Sequence, residues 1–499
     1  MQRISAPKRT SNGWHAHTCS RVGTASPTRR LRSRTLCHPL NVFAVVGCMR
    51  HDKFAEDVGG CSLNLDEATL HWLAAESVVA QRLADLQVVA CCAVQLLAAR
   101  YSLVMSEKMR RPSLVMSRTD GPSQIGPPTS DGAHLRLFHP VIHDEAIVGV
   151  TDALRSGWIG CGPRTNEFEQ AFATMVGARY CVALNSCTTA LQLALRVLDL
   201  PAGTEVVTSP LTFVSANQAI LEESLTPVFA DVQPDTGSID PQSIAETITE
   251  RTGALIIMHY GGTPCDLDEI YRLAREHDLA VIEDCAHACG ASYRGQPIGS
   301  HDGMQAFSFQ AVKNLTLGDG GALTVASAGV DARLRRLRWS GIDRSTFERS
   351  AGAAYHWEYE VTEVGMKGAM NDIAAAIGLG QLPHLEADNR RRREIAALYR
   401  AGLSGTPGIE LLREHDDRVS SGYLFCALAD DRERLVESLA ASGIDVGVHY
   451  RPNYLYPMFS GGPLPGVESF WRRAVSLPVH LALTDDDVAR VIDSIRAGW

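Results

Sequence analysis

The chain changes character near residue 135, where short apolar runs rich in β-forming residues begin to alternate with helical patterns. The predicted strands are 180–185, 205–209, 227–231, 254–259, 280–284 and 304–309. Between strands, apolar residues recur at the i, i+3, i+4, i+7 spacing of a helix with one buried face, as at Leu191, Ala194, Leu195 and Leu198. Such alternation predicts βαβ units and a mainly parallel sheet covered on both faces, which is an α/β fold.

A second, smaller α/β region is predicted after the last of these strands. Residues 370–399 have the pattern of a long helix that is interrupted near Pro383. A strand at 423–428, a helix at 431–441 and a final helix at 485–497 follow. We therefore predict a large domain over 134–370 and a small C-terminal domain over 371–499.

The first 133 residues differ in charge from the rest. They carry a net charge of +6, whereas residues 134–499 carry −16. Residues 1–51 hold nine Lys or Arg and no Asp or Glu, which is the composition of a transit peptide. The same composition arises when upstream non-coding DNA is translated, with Met105, Met109 and Met116 as alternative starts. We expect an N-terminal extension that is disordered or belongs to a mis-assigned start.

Composition excludes several classes of protein. The 45% hydrophobic and 21% charged fractions are typical of a soluble globular protein. The acidic body argues against nucleic acid as a partner, and the apolar stretch 86–97 is too short to cross a membrane. Thirteen scattered cysteines without a C-x-x-C pair indicate a cytoplasmic protein. Cys285 and Cys289 flank His287, but core packing explains them better than a metal, and no metal is expected.

Four polar features follow predicted strands, at the edge where open α/β sheets bind their ligands. The segment 185–189 (Asn-Ser-Cys-Thr-Thr) opens a helix, so it is either a helix cap or a phosphate-binding turn. Asp284 ends an apolar strand, and His287 follows it. An ionised acid there is either at the surface or buried against a partner such as a positively charged ring nitrogen.

The other two features are a lysine and an aromatic ring. Lys313 follows the aromatic strand 304–309 and precedes the glycine-rich segment 318–321. It is either a surface lysine or a nucleophile, because an amine in a desolvated pocket has a depressed pKa and condenses with an aldehyde. Phe213 follows the strand 205–209, where its ring either joins the core or stacks on a flat cofactor.

Together and in this order, these features resemble pyridoxal-phosphate (PLP) enzymes of the aspartate-aminotransferase fold, fold type I. The resemblance is closer still to the DegT/DnrJ/EryC1/StrS family of sugar aminotransferases, and it spans residues 135–499. The segments that carry it are 154–159, 162–163, 167–169, 283–288, 308–314, 365–372 and 449–452.

The resemblance implies roles for the residues that match the family motifs. Lys313 would bind the cofactor covalently and act as general acid and base. Asp284 would pair with the pyridinium nitrogen, which is the arrangement expected for this cofactor. Phe213 would stack on one face of the ring, and His287 would lie near its phenolic oxygen.

The phosphate group has its own set of implied residues. Thr188, the backbone at Cys187, and Ser308 would hold it within one subunit. Lys367 would reach it from the neighbouring subunit, which implies a homodimer with shared active sites. Gly368, Ala369, Tyr454 and Tyr456 depart from the residues that relatives often carry in regions facing substrate.

The resemblance implies a transaminase that takes its amino group from glutamate. We expect the acceptor to be a nucleotide-linked 4-keto-6-deoxyhexose or a 3-keto analogue, and the product to enter a glycan or natural-product sugar. Alternatives are amination of a cyclitol or another cyclic ketone without a nucleotide, and a non-catalytic regulatory protein that binds the cofactor. A branch that removes a hydroxyl carries His in place of the lysine, so Lys313 argues against it. A Rossmann dehydrogenase is disfavoured because 318–321 is not G-x-G-x-x-G.

Overall fold

The structure, a computed structural model, describes residues 134–344 and 357–499, together with Phe347 and Arg349. The predictions made for residues 1–133 lie outside this range. In chain order the strands are β1 (Tyr180–Leu184), β2 (Glu205–Thr208), β3 (Thr226–Phe229), β4 (Thr252–Met258), β5 (Ala280–Asp284), β6 (Ser292–Tyr293), β7 (Gln296–Pro297), β8 (Met304–Ser308), β9 (Gly321–Val325), β10 (Ile409–Leu411), β11 (Arg418–Val419), β12 (Phe425–Ala429) and β13 (Ala474–Leu477).

Two helices of the described residues precede β1, one follows β13, and the others lie in the connections between strands. In chain order they are α1 (Asp144–Ser156), α2 (Pro163–Val176), α3 (Cys187–Arg196), α4 (Val214–Glu222), α5 (Pro241–Thr247), α6 (Leu267–Glu276), α7 (Ala328–Leu337), α8 (Asp372–Gln381), α9 (Leu385–Leu403), α10 (Arg432–Ala441), α11 (Pro465–Trp471) and α12 (Asp485–Arg496). The interruption predicted near Pro383 is the 3-10 turn Leu382–His384 between α8 and α9. Among the described helices, none is long and apolar enough to cross a membrane.

The large sheet has seven strands in the order β1-β9-β8-β5-β4-β2-β3. Strands β3, β2, β4, β5 and β8 run parallel, as the alternation of strands and helices predicts. Strand β9 is antiparallel to both of its neighbours and was not predicted. It is buried along its whole length, so it shows no alternation of polar and apolar residues, and its first residue belongs to a glycine pair that is typical of a turn.

Helices cover both faces of the large sheet, and each face has its own core. One core includes Phe168, Phe172, Ile270 and Leu273, from α2 and α6. The opposite core consists mainly of α3, α4 and α7 packed on the sheet. A parallel sheet needs cover on both faces because its strands are apolar on both sides. The observed architecture is the predicted α/β fold.

A separate core lies against the sheet β10-β12-β13. It takes Ile395, Tyr399 and Leu403 from α9, and also Leu135 from the first described residues, which forms a β-bridge with Ile444. Helix α8 packs on α1 and α2 instead, and its Ala374 and Ala375 belong to the core of the large sheet. The division of the chain at residue 370 remains a prediction.

The start of α2 is capped by a side chain from another helix. Gly162, at the cap position, has no side chain that can accept a hydrogen bond. The buried Asp372 supplies the missing acceptor, because its Oδ1 accepts from the backbone N–H of Gly162 (2.9 Å) and Thr165 (3.0 Å) and from the Thr165 hydroxyl (2.7 Å). Its Oδ2 accepts from the N–H of Arg164 at 3.2 Å. One carboxylate thus joins the first turns of α2 and α8.

We expect Asp372→Ala to lower the free energy of unfolding by about 3 kcal/mol, since it leaves several buried donors without an acceptor. Urea denaturation followed by circular dichroism measures the loss. Asp486→Ala, at an exposed position in the first turn of α12, is the control and should cost about 0.5 kcal/mol. Equal losses in the two variants would contradict the capping role of Asp372.

Candidate active site

The four predicted features meet at one edge of the large sheet. Strands β1, β5 and β8 end there, and the chain continues from them into Asn185, Cys285 and Phe309. The antiparallel β9 begins at the same edge with Gly321, which pairs with Leu184 and Ser308. Side chains that follow these strand ends therefore converge on a single site, which two tyrosines from the last third of the chain complete.

A turn at the start of α3 presents backbone donors to the site. The Ser186 hydroxyl accepts from the N–H of Thr189 at 3.1 Å and thereby caps the helix. The N–H groups of Cys187 and Thr188 lie in the first turn, where a helix offers them no carbonyl partner. A Cβ on Gly321 would lie 2.3 Å from the carbonyl carbon of Ser186, so only glycine allows β9 to pass so close. The turn can both cap the helix and bind a phosphate.

Asp284 is buried at the end of β5. Its Oδ1 accepts from the backbone N–H of Ala286 at 3.0 Å and lies 3.9 Å from the Cys187 sulfur. Burial raises the pKa of this carboxyl above its usual value, and the Ala286 N–H and the amine of Lys313 act in the opposite direction. A cation placed against Asp284 would stabilise its ionised form.

Lys313 lies in a turn five residues after β8, within the electrostatic reach of Asp284. Burial lowers the pKa of its amine to about 8, although Asp284 and Cys187 favour the charged form. The Nζ atom lies 3.2 Å from the hydroxyl of Tyr423 and 4.4 Å from the centroid of that ring. The amine is therefore partly neutral near neutral pH, as a nucleophile or general base requires.

His287 is buried between two tyrosine rings. Its Nε2 is 2.8 Å from the Tyr450 hydroxyl, and its ring centroid is 4.2 Å from that of Tyr423. Burial, together with the charge of Lys313, lowers its pKa well below the usual value, so the ring is neutral. Its Nδ1 has no hydrogen-bond partner among the described residues, although it is buried. A buried polar atom without a protein partner is available to bind a ligand group at this point of the site.

The other predicted residues lie around this centre. Ser308 is buried at the end of β8, and its hydroxyl accepts from the N–H of Gln310 at 3.5 Å. Phe213 precedes α4 with 57% of its surface exposed, and its ring meets that of Tyr450 edge-on at 6.2 Å. The exposed Lys367 extends over the ring of Trp339, while its carbonyl accepts from the Asn185 side chain.

Two residues that were not predicted from the sequence, Tyr423 and Tyr450, complete the site. Tyr423 is 110 residues from Lys313 along the chain, and Tyr450 is 163 residues from His287. Tyr450 lies within a segment, 449–452, that already carried the family resemblance, so that motif was an available signal. Tyr423 stands at the start of a predicted strand, and nothing in its local pattern indicates a polar contact.

The carboxylate next to Asp284 belongs to a different network. Glu283 is fully buried and faces away from the site, where it accepts from His259 (2.9 Å), Tyr271 (2.6 Å) and Gln305 (3.0 Å). These contacts, with His301, hold the pKa of Glu283 well below its usual range despite burial. Adjacent residues of a strand point to opposite faces, so the pair places one acid in the site and one beneath the sheet.

Three positions that depart from the family pattern have structural explanations. A Cβ on Gly368 would lie 2.6 Å from Cγ2 of Thr189, in the turn that opens α3. Tyr454 is largely buried, and its hydroxyl donates to Glu468 at 2.6 Å, so its polar end already has a partner in the protein. Tyr456 packs against Arg451, whose guanidinium lies 5.1 Å from the ring centroid.

Comparison with known proteins agrees with this geometry. The family model described as the DegT/DnrJ/EryC1/StrS aminotransferase family matches residues 140–496. The spore coat polysaccharide biosynthesis protein SpsC of Bacillus subtilis is 38% identical over 370 residues, which cover 72% of this chain and 95% of SpsC.

Solved structures show the same similarity. AtS13 from Actinomadura melliaura is 42% identical, with a TM-score of 0.69 over 73% of this chain and 99% of that one. The PLP-form of Spr1654 from Streptococcus pneumoniae, described as a putative sugar aminotransferase, is 30% identical, with a TM-score of 0.68 over 73% of this chain and 98% of that one. The chain therefore belongs to the DegT/DnrJ/EryC1/StrS aminotransferase family and is a PLP-dependent aminotransferase of fold type I.

Proposed function

We propose that this enzyme transfers an amino group from glutamate to a keto-sugar, a nucleotide-linked 4-keto-6-deoxyhexose or a 3-keto analogue. The product would enter a glycan or a natural-product sugar. The observation that carries the proposal is the placement of Lys313 within electrostatic reach of the buried Asp284 at the sheet edge. The similarity of the chain to SpsC, a spore coat polysaccharide biosynthesis protein, favours a sugar as the acceptor.

The residues at the sheet edge fit pyridoxal phosphate. The buried Asp284 would face the ring nitrogen, and the unpartnered Nδ1 of His287 would face the phenolic oxygen. The N–H groups of Cys187 and Thr188, with the Ser308 hydroxyl, would hold the phosphate at the positive end of α3. When bound, the cofactor supplies an electron sink and a carrier for the amino group. Phe213 would cover one face of the ring.

Lys313 would bind the cofactor's aldehyde carbon and, once released, carry a proton to and from the reacting carbon of the substrate. A pKa of about 8 suits both tasks, because the amine and the ammonium forms are both populated near that pH. Asp284, held ionised by a positively charged ring nitrogen, would keep that nitrogen protonated. His287 stays neutral and orients the ring without adding a charge.

We also propose a homodimer in which each subunit completes the other's site. Apolar side chains on α1 are exposed in the single chain, including Ile147, Val148 and Leu154. Such a cluster is typical of an interface between subunits. Lys367 is exposed beside the turn that opens α3, from which it would reach the phosphate of the neighbouring subunit.

The first test follows the visible absorption band of the cofactor bonded to Lys313. We expect glutamate to bleach the band, and a nucleotide-linked keto-sugar to restore it. Lys313→Ala is the control, and it should bind the cofactor without forming the band or turning over. A band that glutamate leaves unchanged would contradict the donor, and restoration by a keto-cyclitol alone would contradict the sugar acceptor.

Asp284→Asn tests the charge partner of the ring nitrogen. We expect kcat to fall about 100-fold or more, because an amide cannot stabilise the protonated nitrogen in a buried site. The circular dichroism spectrum should stay unchanged. Asp302→Asn, at an exposed position before β8, is the matched control and should keep the wild-type kcat. A wild-type rate in Asp284→Asn would refute the role of Asp284.

Mixed dimers test the shared site. Co-expression of Lys313→Ala and Lys367→Ala chains with different affinity tags allows the heterodimer to be purified. If Lys367 serves the partner's site, one of the two sites in each heterodimer carries both lesions and the other carries none. We then expect about half of the wild-type activity, as two-fold symmetry requires. Activity no higher than half that of the Lys367→Ala homodimer would place Lys367 in its own subunit's site.

A further inference from the structure

Tyr423 makes a contact with the catalytic lysine that the cofactor chemistry leaves unexplained. It lies two residues before β12, so it comes from the part of the chain that builds the core against the sheet β10-β12-β13. Its hydroxyl is 3.2 Å from Nζ of Lys313, and the same amine lies 4.4 Å from the centroid of its ring. Both a hydrogen bond and a cation–π contact therefore reach Lys313 from one side chain.

The backbone on both sides of Tyr423 is fixed to the site. The Asn314 amide, one residue after the lysine, donates to the carbonyl of Ser421 at 2.9 Å. The Ser421 hydroxyl donates to the carbonyl of His287 at 2.6 Å, and the Leu424 N–H donates to the carbonyl of Gly261 at 3.1 Å. Tyr423 is thus bound to the same chain segments that carry Lys313 and His287.

The conformation of Tyr423 is restricted further by the preceding glycine and by the contacts of the tyrosine ring. Gly422 has a φ of +69°, and a Cβ there would lie 3.0 Å from Cβ of Arg392 in α9. The Tyr423 ring stacks on Phe138 at 5.8 Å and packs against His287 at 4.2 Å. A ring packed against two other rings has little freedom to rotate, so its hydroxyl occupies a defined position.

We propose that Tyr423 is a positioning residue that holds the amine of Lys313 in line for proton transfer whenever that amine is not bonded to the cofactor. The inference rests on the proposed role of Lys313. A lysine side chain is flexible, and its ammonium has three donors and no acceptor. A tyrosine hydroxyl accepts from the ammonium and donates to the neutral amine, so it is a partner in both protonation states. Tyr423 itself forms and breaks no covalent bond.

The charges around Lys313 determine how loss of the Tyr423 hydroxyl should change the pKa of the amine. Asp284 and Cys187 favour its charged form, while His287 and His449 are both neutral because burial lowers their pKa values, that of His449 to about 4. Burial raises the pKa of Tyr423, so its phenol keeps its proton. A hydrogen bond to a charged group is roughly twice as strong as a neutral one, so Tyr423 favours the ammonium form.

The test is Tyr423→Phe, which keeps the ring and removes the hydroxyl. In the cofactor-free protein, competitive labelling of Lys313 with acetic anhydride across pH 6–11, followed by mass spectrometry, measures the pKa of the amine. We expect that pKa to lie about 0.5 lower than in the wild type. In the loaded enzyme we expect kcat for the glutamate half-reaction to fall about tenfold, with KM unchanged within about twofold.

Tyr399→Phe is the matched control. The buried hydroxyl of Tyr399 donates to the carbonyl of Pro478, in the core against the sheet β10-β12-β13. This variant should leave both the Lys313 pKa and kcat at wild-type values. An unchanged pKa and kcat in Tyr423→Phe would overturn the proposal, as would a raised KM at constant kcat or an equal loss in Tyr399→Phe. The labelling measures the pKa of the Lys313 amine without cofactor or turnover. Its result therefore tests the role of Tyr423 even if the proposed reaction is wrong.

Discussion

The candidate active site depends on two ionisable side chains of opposite charge that lie near each other, largely away from water, at one edge of a sheet. Burial disfavours the charged form of each, so it raises the pKa of Asp284 and lowers that of Lys313. Each side chain partly offsets this effect for the other. The remaining contacts of the site, from the Ala286 N–H to the Tyr423 hydroxyl, supply the hydrogen bonds that buried charges require.

The reversal of the chain at β9 brings a further backbone segment to this edge of the sheet. The strand runs antiparallel between β1 and β8, so it starts at the edge where those two strands end. Gly321 then lies against the turn that opens α3, with no room for a side chain. The loop that carries Lys313 connects β8 to β9, and Lys313 lies within electrostatic reach of Cys187 in that turn.

The sequence predicted the parts of the fold and site that local patterns encode. The parallel strands and the flanking helices follow from apolar periodicity, and the motifs around Asp284 and Lys313 each lie within a few residues of a strand end. Strand β9 was missed because a fully buried strand shows no alternation. Tyr423 was missed because its contact with Lys313 depends on packing between segments 110 residues apart. The proposed stacking of Phe213 stays a prediction.

The contact between Tyr423 and Lys313 also joins two cores, since the lysine follows a strand of the large sheet and the tyrosine precedes a strand of the small one. A hinge motion that separates these cores by even 1–2 Å, on the order of the shifts seen between packed elements, would break that hydrogen bond. The amine of Lys313 would then become more mobile and more exposed to water. The position of this one side chain therefore makes the reactivity of the lysine depend on how these two cores pack together.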